Sequence, residues 1–167
     1  IRTITEPTQG SNFYDFTEVF VSGEPFRMGK TSRADDILPE GNCTTYYPSG
    51  EKLSDIVYIN GLEQAGTFYF ANGTVFKVAH FTHTHSPGRP AVVPATQELI
   101  ITCNDSTGKT LIANGKGYFI GYRPIINGKF IGIVTARVYY DWLNNEYEEG
   151  GMKSGIKDGI WKGDMGG

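Results

Sequence analysis

Four Asn-Gly dipeptides constrain the fold of this chain more than any other feature of its sequence. They lie at residues 60–61, 72–73, 114–115 and 127–128, and β-branched or aromatic residues flank each of them. A type I′ turn needs positive φ at both central residues, and Asn-Gly is the dipeptide that best supplies it between two antiparallel strands. The sequence therefore predicts a series of β-hairpins.

Strand-forming segments lie between these turns. The chain has 10 Tyr, 10 Phe and 22 Gly, which is typical of a β protein rather than a helical one. The predicted strands are residues 12–21, 55–59, 67–71, 74–84, 98–103, 110–113, 117–122 and 129–142. Turns at such spacing predict an all-β fold, an antiparallel β-sandwich of about seven to nine strands, either Ig-like or a lectin-like jelly-roll variant.

The chain of 167 residues is long enough for one domain with a normal core. We expect residues 1–149 to form a β-sandwich binding domain. From residue 150 onwards the composition changes, and glycines recur at every fourth position, namely Gly151, Gly155, Gly159, Gly163 and Gly167. Each glycine would cost a helix about 1 kcal/mol. We therefore predict that residues 150–167 form a Gly-rich linker or an extended C-terminal arm.

Charge and motifs argue against several function classes. The net charge is -3 and the pI is near 5.6, so no nucleic-acid partner is expected. No apolar run is long enough to cross a bilayer, so we expect no membrane insertion. The sequence contains no GxSxG, HExxH, Walker A or GxGxxG motif. We accordingly expect a binding protein rather than an enzyme.

Two cysteines, Cys43 and Cys103, are the only ones in the chain, and they form no CxxC motif. We predict a disulfide between them, which favours an oxidising compartment. A bridge over a loop of this length would stabilise the fold by about 4 kcal/mol. The alternative is a pair of buried free thiols in a cytosolic protein.

All three histidines, His80, His83 and His85, fall within six residues at the end of the predicted strand 74–84. On a strand, His83 and His85 share one face and can reach a single ion, for which zinc is a suitable metal. His80 joins them only if a β-bulge separates it from His83. The three form a candidate zinc site, and the alternative is that they are surface histidines without a metal.

Candidate ligand-binding residues are aromatic and charged side chains near strand ends. Tyr46 and Tyr47 lie in the irregular segment 24–50, where their rings either stack on sugars or cover the predicted disulfide. Arg137, Tyr139 and Asp141 share one face of the strand 129–142, where they either hold a ligand or form cross-strand ion pairs. Arg89, which follows the histidines, completes the set.

Across residues 1–167, the layout resembles the N-terminal receptor-binding domains of chaperone-usher fimbrial tip adhesins. The sequence His83-Thr84-His85 is similar to the metal-binding pair of the zinc-binding adhesin of mannose-resistant fimbriae, although this chain lacks the later histidine of that protein. The resemblance implies a lectin-like β-sandwich at the fimbrial tip, outside the cell. It also implies a host glycan or glycoprotein receptor and a pilin subunit that contacts the C-terminal arm.

Two alternatives come from other classes. A viral or phage receptor-binding head would share the same β-rich surface. A cupin-like metalloenzyme would also place His-x-His on a strand, but the glutamate expected after the second histidine is replaced here by residues 87–89, Pro-Gly-Arg.

Overall fold

The structure is a computed structural model that describes residues 1–7, 9–84, 95–122 and 145–165. These residues form twelve β-strands. In chain order, the strands are β1 (Arg2–Thr5), β2 (Tyr14–Val19), β3 (Pro25–Thr31), β4 (Pro39–Tyr46), β5 (Lys52–Ile59), β6 (Leu62–Tyr69), β7 (Val75–Thr84), β8 (Ala95–Asn104), β9 (Thr110–Ala113), β10 (Lys116–Tyr122), β11 (Asn145–Lys153) and β12 (Ile156–Met165).

All twelve strands belong to one open antiparallel sheet in which each strand pairs with its neighbours in the chain. The predicted all-β class and antiparallel pairing are confirmed. The described strands do not divide into the two packed sheets of a sandwich, and they outnumber the predicted seven to nine. In this part of the chain, no helix has the length and hydrophobicity needed to span a membrane.

Two of the Asn-Gly dipeptides form the predicted turns. Asn60 and Gly61 have φ angles of 52° and 75°, and Asn114 and Gly115 have φ angles of 50° and 72°, as a type I′ turn requires. Both turns join consecutive strands of the sheet, β5 to β6 and β9 to β10. The local chemistry of these residues therefore determines where the chain reverses.

The turn at residues 72–73 differs from the prediction, because only Gly73 has positive φ, at 81°. The Gly73 N–H donates to the Phe70 carbonyl at 2.9 Å, and the Phe70 N–H donates to the Thr74 carbonyl at 2.8 Å. This is a three-residue loop that ends in a left-handed glycine, another common hairpin connection. The fourth dipeptide, at residues 127–128, lies outside the described residues.

The segment 24–50, which the sequence marks as irregular, contains β3 and β4. Pro25 and Pro39 are each the first residue of a strand, a position where the missing N–H is tolerated. The loop between the strands is organised by Thr31, whose hydroxyl oxygen accepts from the Leu38 N–H at 2.9 Å and donates to the Asp36 carbonyl at 3.1 Å.

One side of the sheet, which we call the core face, carries two clusters of buried side chains. The first cluster, on β2, β4 and β5, consists of Phe16, Cys43, Ile56 and Tyr58. The second cluster, on β8 to β11, consists of Ile100, Cys103, Ile112, Phe119 and Met152. The opposite side, the outer face, carries the residues that alternate with these and are exposed or half-buried. The apolar burial is therefore one-sided.

Residues 150–165 are part of the sheet rather than a linker or an extended arm. They complete β11 and form β12, which pair from Asn145 with Met165 to Lys153 with Ile156. The predicted boundary at residue 149 falls inside β11. Ser154 and Gly155 have positive φ and form the turn of this last hairpin. The glycine-rich composition therefore reflects turns and close strand packing in this region.

The predicted disulfide is absent, and Cys43 and Cys103 are buried free cysteines. Cys43 lies on β4 and Cys103 on β8, which are separated by four interstrand steps. At about 4.8 Å per step, the two strands are about 19 Å apart across the sheet, whereas bridged Cα atoms lie within about 7 Å. The two thiols instead pack in different core clusters.

We expect both thiols to be unreactive in the folded protein. Burial raises the pKa of Cys43 and of Cys103 to about 11. At pH 8 only about one thiol in a thousand is then ionised, and the thiolate is the reactive form. A colorimetric thiol reagent should therefore detect almost no thiol in native protein and two after unfolding in guanidinium chloride without reductant. Detection of no thiol after unfolding would instead establish a disulfide.

Candidate ligand-binding groove

A groove opens on the core face where the β11–β12 hairpin approaches β7 and β8. Its volume is about 430 Å³. Ile100, Phe119, Met152 and Trp161 supply an apolar lining, and Lys77, Gln97, Glu98 and Lys157 supply polar groups. Gly155 and Ile156, at the tip of the hairpin, complete the lining. Apolar walls with a few convergent polar groups are typical of a small-ligand site.

Two stacked aromatic rings dominate the apolar part of the groove. Phe119 on β10 pairs with Gly150 on β11, and Gly150 pairs with Trp161 on β12. The rings of Phe119 and Trp161 meet above this glycine, with centroids 5.8 Å apart and planes inclined by 30°. A Cβ atom on Gly150 would lie 2.5 Å from the indole. The stack therefore depends on the missing side chain at residue 150.

The indole ring of Trp161 is also held by a hydrogen bond, because its Nε1–H donates to the Gly151 carbonyl at 3.1 Å. The ammonium group of Lys157 lies 4.3 Å from the centroid of the same ring, within the range of a cation–π interaction. Phe119 is almost completely buried, whereas Trp161 is half-buried. Trp161 is thus an oriented aromatic side chain that is still accessible from the groove.

The polar wall consists of an ion pair between neighbouring strands. Lys77 on β7 and Glu98 on β8 approach to 2.7 Å, with 16% and 32% of their side chains exposed. The Lys77 ammonium also lies 4.7 Å from the Phe68 ring centroid and 5.8 Å from that of Phe76. These contacts hold the ammonium in place. The wall therefore presents hydrogen-bond donors and acceptors in fixed positions next to the aromatic stack.

Two backbone hydrogen bonds fasten the hairpin tip to the rest of the sheet, and a third fastens the neighbouring turn at Gly115 to β8. The Ile100 N–H donates to the Gly155 carbonyl at 2.8 Å, the Gly155 N–H to the Gly115 carbonyl at 3.0 Å, and the Gly115 N–H to the Ile101 carbonyl at 2.9 Å. Both glycines have positive φ, and a Cβ on Gly115 would lie 2.5 Å from the Gly155 nitrogen. We call these three hydrogen bonds the glycine clasp. They position the wall formed by β11 and β12.

The predicted zinc site does not form from the histidines that the structure describes. His80 is exposed on the outer face, whereas His83 is half-buried on the core face. The pairing of β7 with β8 is unbroken from His80 to Thr84, so the bulge that would bring His80 to His83 is absent there. Opposite faces of one strand cannot supply two ligands to one ion.

Both ring nitrogens of His83 take part in hydrogen bonds. Nδ1 bonds with the Thr96 hydroxyl at 3.1 Å, and Nε2 donates to the Glu63 carbonyl. A metal ion at His83 would have to replace one of these partners. His85 lies outside the described residues, and within them no group of three His, Cys, Asp or Glu side chains is placed to hold a metal ion.

The predicted ligand-binding tyrosines have different environments. Tyr47 is only 3% exposed and its hydroxyl donates to the Tyr69 carbonyl at 2.8 Å. Burial raises the pKa of Tyr47 to about 12. Tyr47 therefore packs inside the protein, although not over a disulfide. Tyr46 is half-buried on β4, opposite Lys52. The other predicted residues, Arg89, Arg137, Tyr139 and Asp141, lie outside the described residues.

Sequence reasoning missed the groove because its lining comes from distant segments. Trp161 lies within residues 150–167, which the sequence predicts to be a linker or an extended arm. Lys77 and Glu98 carried no motif. A useful signal was available in Ser154-Gly155, a dipeptide typical of turns, which is followed by Ile156, Ile160 and Trp161.

No family model matches this chain, and no curated protein or solved structure is similar to it at a significant level.

The glycine clasp gives a stability prediction. Replacing Gly115 by alanine combines an unfavourable positive φ with a clash against backbone, so we expect a loss of more than about 3 kcal/mol. Gly73→Ala is the matched control, because Gly73 has φ 81° but no atom within 4 Å of a built Cβ. It should cost about 1–2 kcal/mol. Urea denaturation would measure both, and equal losses would contradict the clasp.

Proposed function

We propose that this protein is a non-catalytic carbohydrate-binding domain whose ligand lies in the groove. The observation that carries the proposal is the Phe119 and Trp161 stack beside the Lys77 and Glu98 ion pair. A sugar ring has an apolar face of C–H groups and an edge of hydroxyl groups. The first suits an aromatic ring, and the second suits fixed donors and acceptors.

The polar groups of the groove favour binding over chemistry. Lys77 and Glu98 neutralise each other at 2.7 Å, so neither is poised as a nucleophile or a base by the contacts that hold it. As a pair, they offer an ammonium donor and a carboxylate acceptor to neighbouring hydroxyl groups.

The wider proposal is that the domain is secreted or surface-displayed and recognises a host glycan or glycoprotein, as the resemblance to fimbrial adhesins implies. A receptor-binding head of a virus or phage is the second candidate from the sequence. The proposal gives zinc no part in the groove, since none of the described residues that line it is a histidine. Glycan binding by the purified protein should accordingly be insensitive to a chelator.

The first test is Trp161→Ala on a glycan array, followed by titration of the best glycan. We expect the Kd to rise at least about fivefold, because loss of aromatic stacking costs about 1 kcal/mol or more. Tyr118→Ala is the matched control, since Tyr118 is an exposed aromatic residue next to Phe119 that faces away from the core face. Its Kd should be that of the wild type.

A second variant separates loss of binding from loss of folding. Gly150→Ala keeps Trp161 but displaces the indole from its place above the glycine. It should weaken glycan binding while retaining cooperative unfolding. The proposal fails if no glycan binds to the wild type, or if Trp161→Ala and Tyr118→Ala affect binding equally. The proposal would also be overturned if the protein bound peptides with apolar side chains but no glycan.

A further inference from the structure

A straight row of side chains crosses the outer face of the sheet from β1 to β8. Each member is the direct cross-strand partner of the next. In strand order, the row is Thr3, Thr17, Met28, Thr44, Asp55, Thr67, Val78 and Thr102. Five of its eight members are threonines. We call this set the threonine row.

Every member of the row is at least partly exposed to solvent. Thr3 and Met28 are exposed, and the other six members are half-buried. Its residues alternate along each strand with buried residues of the core face, such as Ile56 beside Asp55. Seven interstrand steps of about 4.8 Å extend the row over about 34 Å. Its five threonines each offer a methyl and a hydroxyl group, and from β2 to β8 they recur on every second strand.

Several hydroxyl groups of the row are available to a ligand. Within the described residues, the hydroxyls of Thr17, Thr67 and Thr102 have no hydrogen-bond partner in the protein. Thr44 is different, since its hydroxyl donates to Asp55 at 2.8 Å. An exposed hydroxyl can both donate and accept, as the hydroxyl groups of a sugar do.

The middle of the row is flanked by aromatic rings and a neutralised carboxylate. Asp55 accepts from the Lys52 ammonium at 2.8 Å and from the Tyr69 hydroxyl at 3.2 Å. Lys52 lies 5.6 Å from the Tyr69 ring centroid and is the cross-strand partner of Tyr46. Both tyrosines are half-buried, so parts of their rings reach the surface beside the row.

We propose that the threonine row is a second binding surface, which holds an extended, neutral polysaccharide chain lying across the strands. Threonine hydroxyls recur on every second strand from β2 to β8, about 10 Å apart, and this repeat suits a repeating polymer better than a compact ligand. Asp55 is the one charged member, and Lys52 neutralises it, which favours a neutral chain over an acidic one. Tyr46 and Tyr69 supply aromatic edges for the sugar rings.

This inference rests on the carbohydrate class proposed above, but it concerns the face opposite the groove. The two faces would then bind separate glycan segments. The groove accepts a short, compact portion, whereas the row gains contacts as the chain lengthens. Affinity at the row should therefore rise with the number of sugar units until the chain spans the row.

The test is native gel electrophoresis through gels that contain dextran, a mixed-linkage β-glucan or a galactomannan. The test variant changes Thr17, Thr67 and Thr102 together to valine, which preserves shape and strand propensity and removes three hydroxyl groups. The matched control changes three exposed threonines outside the row to valine, namely Thr5, Thr82 and Thr110. Thermal denaturation of both variants should show folded proteins.

We expect at least one polysaccharide to retard the wild type and the control. The row variant should bind that polysaccharide about tenfold more weakly, because three hydrogen bonds are lost, and its affinity for the short glycan of the groove should be unchanged. Equal retardation of the row variant and the wild type would overturn the inference, as would retardation that Trp161→Ala alone abolishes. Neither result would affect the proposed groove, which the Trp161 and Tyr118 variants test separately.

Discussion

The structure depends on the close packing of side chains on one face of a single sheet. Large residues on this face lie opposite small ones on the adjacent strand, and the large side chains extend over the small ones. Ile56 pairs with Gly66, which in turn pairs with Ala79. A Cβ on Gly66 would lie 3.0 Å from the Phe68 ring and 3.3 Å from Ile56. Because Gly66 and Ala79 have little or no side chain, the larger neighbouring side chains can pack over them and become buried within a single sheet.

The groove follows from the same rule at the other end of the sheet. Gly150 lies between Phe119 and Trp161 across three strands, and the two rings stack in the space that a side chain would fill. Aromatic residues on neighbouring strands commonly cover a glycine in this way. Here the ring that covers Gly150, that of Trp161, also lines the groove. The packing that completes the second core cluster therefore produces the aromatic wall of the candidate site.

Polar groups on the core face are satisfied by partners on adjacent strands. Arg27 is 7% exposed and lies 2.8 Å from Glu18, while its guanidinium carbon is 5.3 Å from the Phe16 ring centroid. Thr45 and Ser54 are buried and share a hydrogen bond of 2.6 Å. Buried polar groups require such partners, because an unpaired one costs about 1–3 kcal/mol. The buried polar groups of this face are therefore paired across strands, as the apolar ones are.

Local chemistry allowed the all-β class, two of the turns and the antiparallel pairing to be predicted, whereas the number of layers and the site could not be. The turn at Asn60 and Gly61 depends only on adjacent residues, so the sequence was sufficient. Alternation of apolar and polar residues shows that one face of a strand is buried. It does not show whether that face packs against a second sheet or only against side chains of adjacent strands, because this depends on long-range packing. Lys77 and Trp161 become neighbours of one groove only after the hairpin tip docks on β8 at Ile100.

That docking also explains why the predicted domain boundary is misleading. A chain ending at residue 149 would lack the turn at Gly155 and all of β12, so the Ile100 and Gly115 backbone groups would lose their partners in the clasp. Phe119 would lose the indole ring that covers it. The glycine-rich tail therefore belongs to the core and the groove together. Two of its glycines are required by geometry: Gly155 makes the turn, and Gly150 accommodates the ring.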